Sequence, residues 1–268
     1  MTSPKIPPVV PPLPRPSAYA RNLPPAAALL WLKAGWDDLV RTPGPSLLYG
    51  LSVCLLSVGF ILGLVMFELD YALFPVTAGF LILGPLLAIG LYEKSRALEE
   101  GRVVTLSAMI VPRPRSGNQL LFAGVMLCVL MLLWNRAAII VYALFYGVQP
   151  FPGLDHVVQD LFGTPQGLQM LAVGSFVGAM FAGFAFAISV FAIPMLLDRQ
   201  VDALTAMGTS WALVWNNLLA LLIWGGTVLV LFLASALTGM LGLIVVFPLL
   251  GHASWHAYRS IASDGGVA

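Results

Sequence analysis

Residues 119–146 read QLLFAGVMLCVLMLLWNRAAIIVYALFY, with Arg136 the one charged side chain among them. A helix of roughly 20 mostly apolar residues crosses the ~30 Å hydrocarbon layer of a bilayer, so this run predicts a transmembrane helix. Runs of the same kind occupy residues 46–68, 71–92, 168–197, 217–236 and 238–257. The fold class expected is therefore all-α, a polytopic membrane protein of six transmembrane helices set out as three hairpins. The stretch 217–257 is nearly unbroken, and a single helix of that length would far exceed the bilayer, which predicts a tight turn near 236–240.

Composition agrees. Of 268 residues, 59% are hydrophobic and 9% charged, against about 25% charged in soluble domains. A net charge of +1 leaves no basic excess for nucleic acid. Cys54 and Cys128 both lie within apolar runs, which argues against a disulfide framework or a thiolate cluster.

Apart from Arg136, all of the 13 lysines and arginines fall on one side of the six-span arrangement, whereas Glu68, Asp70, Asp155 and Asp160 occupy the other. The positive-inside rule then predicts cytoplasmic N- and C-termini. Residues 1–25 are expected to be a disordered, proline-rich cytoplasmic tail, residues 26–260 the membrane domain and residues 261–268 a flexible end. Lys5, Pro8 and Pro11 fit a PxxP ligand, but a plain solvated tail is the preferred reading, because some such match is nearly unavoidable in so proline-rich a segment.

Short interfacial helices are expected before the first, third and fifth spans. In residues 26–41 the apolar Leu29, Leu32, Trp36 and Leu39 recur at helical spacing among Lys33, Asp37, Asp38 and Arg41, while Trp31 and Trp36 suit the headgroup boundary. Residues 202–217, with Trp211 and Trp215, read similarly.

The even-numbered spans share a proline: Pro85, Pro194 and Pro248, each followed eight residues later by an ionisable group, Glu93, Asp202 and His256. Four residues after the last two prolines stand Asp198 and His252. The pattern predicts one unit (interfacial helix, span, proline-bearing span) used three times. Each proline frees a helical carbonyl, those of Leu81, Val190 and Ile244. Either neighbouring helices satisfy these groups or they line a shared cavity for a substrate or ion.

His252 and His256 are one helical turn apart, a spacing that metal sites use. With Glu93, Asp198 and Asp202 they could form a cation site, or the same groups could pair with Arg96, Arg199 and Arg259 at the interface. Arg136 is read as a structural ion pair with the outer acids in preference to a substrate contact. The GxxxG of Gly59 and Gly63, and Gly174, Gly178, Ala182 and Ala185 in the fourth span, are read as close-packing positions.

The segments Ala34-Gly35-Trp36-Asp37-Asp38-Leu39, Gly84-Pro85-Leu86-Leu87-Ala88-Ile89-Gly90-Leu91-Tyr92-Glu93, Pro194-Met195-Leu196-Leu197-Asp198-Arg199 and Phe247-Pro248-Leu249-Leu250-Gly251-His252-Ala253-Ser254-Trp255-His256-Ala257-Tyr258-Arg259 resemble a family of bacterial integral membrane proteins of unknown function. Some of its members carry a cytochrome c oxidase subunit I label. The resemblance implies a bacterial inner-membrane address and no reaction, since the three histidines here are too few for an oxidase core that holds two haems and a copper.

The expectation drawn from these readings is a non-enzymatic accessory or scaffold subunit without cofactor, beside a respiratory complex. Its partners are the lipid bilayer and either another membrane protein or a second copy of the chain. The alternative is a small-molecule or ion permease using a cavity near the proline-bearing helices. A buried polar constellation would favour transport, and in the sequence only Arg136 and small polar residues qualify for one.

Overall fold

The computed structural model describes residues 19–21, 23–103, 105–147 and 153–262. Among them the regular elements are helical: α1 (Ala27–Arg41), α2 (Pro43–Met66), α3 (Leu73–Leu87), α4 (Ile89–Glu99), α5 (Leu106–Ile110), α6 (Gln119–Tyr146), α7 (Leu154–Gly163), α8 (Pro165–Ser189), α9 (Ala192–Asp198), α10 (Ala203–Asn216), α11 (Leu218–Leu237) and α12 (Leu243–Ala262). Five continuous or near-continuous helices are long and apolar enough to cross a membrane: Pro43–Met66, Leu73–Glu99, Gln119–Tyr146, Pro165–Asp198 and Leu218–Leu237. The sixth expected span folds as α12, whose second half carries His252, His256 and Arg259 and is largely enclosed by protein.

The prolines act where the sequence places them. Three residues beyond Pro85 the helix breaks at Ala88, dividing α3 from α4, and the break at Val190 and Phe191 precedes Pro194 in the first turn of α9. Pro248 lies inside α12. Because α4 continues to Glu99, the segment after residue 92 is helical, and it turns Lys94 and Ser95 inward.

Burial is uneven. The core gathers at the α4, α9, α10 and α12 end of the bundle, where Leu91, Phe191, Ile193, Leu196, Leu197, Trp255 and Tyr258 are sealed from solvent. A smaller cluster of Ile82, Trp134 and Ala185 joins α3, α6 and α8 further along. There Trp134 Nε1 donates to the Pro75 carbonyl at 2.7 Å, and a methyl added to Gly178 would lie 3.0 Å from the same indole. A Cβ at Gly59 or Gly63 would meet nothing within 4 Å, so these two glycines pack closely on no neighbour among the described residues of the chain.

The apolar stripe expected on α1 divides between two faces. Leu29 (69% exposed) and Trp36 (48%) face outward, whereas Ala27, Ala28, Trp31, Gly35, Asp38 and Leu39 face the protein. Apolar periodicity marks the stripe but not whether lipid or protein covers it.

Between α11 and α12 the chain turns at residues 238–242, with Gly239 and Met240 at positive φ. At the opposite ends of these two helices Arg21 bridges them: its backbone N–H donates to Asn217 Oδ1 at 2.8 Å and its Nε to the Ile261 carbonyl at 3.1 Å. Asn217 Nδ2 returns a bond to the Tyr19 carbonyl at 2.8 Å. Residues 19–21 of the expected tail are therefore held against the helical body; residues 1–18, with the PxxP spacing, lie outside the described residues.

Candidate functional site

The site is a chain of polar side chains from four helices. Lys94 of α4, 1% exposed, directs its ammonium at the C-terminal end of α1, donating to the Thr42 carbonyl at 2.7 Å and reaching the Asp38 carbonyl at 3.5 Å. The Asp38 carbonyl is in the last turn of α1 and Thr42 follows it, so the ammonium sits at the negative end of the α1 dipole, where a cation is favoured. Lys94 Nζ also donates to Ser46 Oγ of α2 at 2.5 Å.

Ser46 Oγ lies 2.9 Å from His252 Nε2, and His252 Nδ1 lies 2.7 Å from Ser95 Oγ. Ser95 donates to Asp38 Oδ2 at 2.7 Å, and His256 Nε2 meets the same oxygen at 2.8 Å. Proton positions follow by elimination. An ammonium can only donate, so the Ser46 oxygen accepts from Lys94 and its hydroxyl is left to donate to His252 Nε2. A carboxylate can only accept, so Ser95 gives it its proton and must accept from His252 Nδ1–H. The result is one directional sequence from Lys94 through Ser46, His252 and Ser95 to Asp38, with His256 donating at the far end. Ser46, Ser95 and His252 are fully buried, and His256 keeps 22% of its side chain exposed. Burial pushes the Asp38 carboxyl up, but the hydrogen bonds from His256 and Ser95 outweigh it and hold the group below its ordinary value.

A second layer surrounds this chain. Glu93 pairs with Arg96, whose Nη1 donates to the Leu197 carbonyl at 2.6 Å. Asp198 accepts from Tyr258 Oη at 3.0 Å and lies 3.7 Å from Arg259, which also pairs with Glu99 at 3.1 Å. Glu93 and Asp198 thus take the interfacial ion pairs that the sequence allowed. Asp202 stands apart: exposed, it caps α10 by accepting from the Thr205 N–H at 2.9 Å, a bond that lowers its pKa.

The two-histidine cation site does not form. Both ring nitrogens of His252 are engaged by serines, and among the described residues no group of three His, Cys, Asp or Glu side chains is placed to hold a metal. Arg136 is exposed on α6. No ion pair joins it to Glu68 or Asp160 among the described side chains, and those of Asp70 and Asp155 lie outside the described set.

Behind the chain lies a cavity of about 90 Å³, walled by Leu81, Pro85, Val190, Trp224, Phe247 and Ser254 among others. Leu81 and Val190 are two of the residues whose carbonyls the prolines free. The third carbonyl, of Ile244, lies against Gly50 of α2 so closely that any side chain at Gly50 would overlap it. Pro85 therefore borders a shared space, Pro194 is buried in the first turn of α9, and Pro248 serves the contact with α2. The cavity wall is mostly apolar; Tyr92 and Ser254, hydrogen-bonded to each other, supply hydroxyls, and the buried Trp224 Nε1 has no partner.

Residues 73–198 match the family model described as Predicted integral membrane protein (DUF2189). That segment, just under half of the chain, runs from α3 to α9 and contains Pro85, Lys94 and Ser95; Asp38, Ser46, His252 and His256 lie outside it. No curated protein and no solved structure gives a match. With five apolar helices of spanning length, the likeness makes this chain a multi-pass integral membrane protein of unknown function.

The sequence reading singled out His252 and His256 but missed Asp38, Ser46, Lys94 and Ser95, and so underestimated the buried polar content. The available signal was the lysine itself. Lys94 follows an apolar span directly, and if the helix continues without interruption it stays within the protein.

Proposed function

We propose that the protein is a small permease whose solute site is the cavity beside Pro85. The observation that carries this reading is the buried polar chain from Lys94 to Asp38, set on α4 and α12, the two helices that also supply Tyr92 and Ser254 to the cavity. Ionisable groups sealed inside a membrane protein are costly and mark ion and substrate pathways. An accessory subunit needs only a lipid-facing bundle, and leaves both the chain and the cavity without a task.

The arrangement we favour counts α12 as a sixth crossing with both termini in the cytoplasm of a bacterial inner membrane. Two sets of contacts support it. Arg21 links the start of α11 to the end of α12, and Arg259 near that end pairs with Glu99 and Asp198, the last residues of two other spans. The helix order also supports a threefold unit: short, long and proline-bearing helices follow one another as α1, α2, α3–α4; α5, α6, α8–α9; and α10, α11, α12.

A cavity of about 90 Å³ is of the order of the ~150 Å³ apolar cavity that holds benzene, so the solute class is small and neutral. Stopped-flow light scattering of proteoliposomes with urea, acetamide and glycerol tests the reading. Faster shrinkage and re-swelling than protein-free vesicles is expected for at least one solute. Gly84→Phe, at a cavity position where a Cβ meets nothing within 4 Å, should abolish the difference. Rates equal to protein-free vesicles for all three solutes would refute this solute class.

A further inference from the structure

We propose that Lys94, Ser46, His252, Ser95 and Asp38 form a proton-binding relay, loaded from the aqueous side through His256. Every link is in hydrogen-bond range, from 2.5 to 2.9 Å; each serine hydroxyl has one donor and one acceptor neighbour, and each ring nitrogen of His252 meets one serine. Such a sequence has two forms related by proton shifts alone.

In the first form Lys94 is an ammonium and Asp38 a carboxylate. In the second, Lys94 has given a proton to Ser46 Oγ as Ser46 passes its own to His252 Nε2. His252 releases the Nδ1 proton to Ser95 Oγ, and Ser95 passes its own to Asp38 Oδ2. Four protons move, no heavy-atom contact is lost, and the net charge of the array is unchanged. A buried positive charge at the end of α1 has been exchanged for a neutral amine. When Asp38 is the carboxylate, His256 can take a proton from water at Nδ1 and give its Nε2 proton to Asp38, which adds one proton to the array.

The charged surroundings are fixed. From α1 the array is faced by Asp38, from α4 by Lys94, and from α12 by His252 and His256. α2 contributes only the Ser46 hydroxyl, since Tyr49 Oη is committed to the Leu87 carbonyl at 2.7 Å. Glu93, Arg96, Glu99, Asp198 and Arg259 pair among themselves. The relay thus connects to water at His256, the member that is one-fifth exposed. That the stored proton drives solute movement rests on the permease reading; the relay itself does not.

The test is the exchange of the His252 Nδ1 proton with water, read by NMR on the full chain with 15N-histidine in lipid nanodiscs and no solute present. His252 has no exposure, so exchange without a relay must await opening of the helices. The relay predicts exchange at least tenfold slower in Ser95→Ala and in His256→Gln, with the wild-type rate kept in Ser95→Thr. A static network predicts the reverse: losing a partner weakens protection, and exchange stays the same or speeds up. Either of those results overturns the proposal. Should Ser95→Ala fail to fold, the partly exposed His256→Gln decides alone. Solute flux in proteoliposomes bears only on the permease reading, so the two can fail separately.

Discussion

Gly35 of α1 crosses Ala253 of α12 so closely that a Cβ on Gly35 would come within 2.6 Å of the Ala253 nitrogen. Three residues further along each helix, Asp38 meets His256. The glycine therefore fixes the distance at which a carboxylate on α1 can reach a histidine on α12.

Gly35→Ala should destabilise the protein by about 1–3 kcal/mol through overpacking against the backbone. Gly59→Ala, where a Cβ meets nothing, should be neutral or stabilise by up to about 1 kcal/mol through helix propensity. Denaturation in mixed micelles followed by circular dichroism measures both; equal effects would show that α1 is not pressed onto α12 as described.

Lys94→Met removes a charge that senses Asp38 and leaves the Thr42 carbonyl and Ser46 hydroxyl without their donor, a change that costs about 1–3 kcal/mol. Asp38→Asn should cost less in that background than in the wild type. The double-mutant cycle gives the coupling directly, and strictly additive effects would mean that the two groups do not sense each other.

Asp38 also predicts an acid limb of stability. Its carboxyl is held below the ordinary value in the folded protein, so its stabilisation is complete above that value and is lost as pH falls through the lowered one. Melting temperatures of the wild type should decline below about pH 4, and the decline should be shallower in Asp38→Asn. Parallel curves for the two proteins would rule this out.

Trp134 should matter to a separate part of the molecule. Trp134→Phe forfeits the bond to the Pro75 carbonyl at about 1 kcal/mol, and Trp134→Ala should cost about 3–5 kcal/mol. Neither should change the His252 nitrogen shifts, because the indole packs with Ile82 and Ala185, away from the polar chain. A shift change on Trp134→Phe would join the two regions.

Much of this fold is legible in the sequence, because a helix that must satisfy its own backbone in lipid needs a long apolar run and little else. The run at 119–146 coincides with α6, and the three prolines mark helix breaks or close contacts. The limits have physical causes. α4 continues through Glu93 and Lys94, past the expected end of the span at residue 92, because Arg96 receives Glu93 while the end of α1 and Ser46 receive Lys94. α1 shows a clear apolar stripe, yet Leu29 and Trp36 of it face outward while Leu39 turns to the protein with Trp31, small residues and Asp38. The two histidines four residues apart both belong to the polar chain. Their partners were out of reach of any spacing rule, since Asp38 and His256 are brought together only by the crossing at Gly35.

The polar chain also sets an order of assembly. Its members come from positions 38, 46, 94–95 and 252–256, and a chain made from its N-terminus folds its earlier parts first. Until α12 arrives, Lys94, Ser46 and Ser95 face a gap where His252 will sit, and the five earlier apolar helices hold a polar seam that lipid cannot satisfy. Docking of α12 is thus the step that closes the polar chain, and His252 is the piece that completes it.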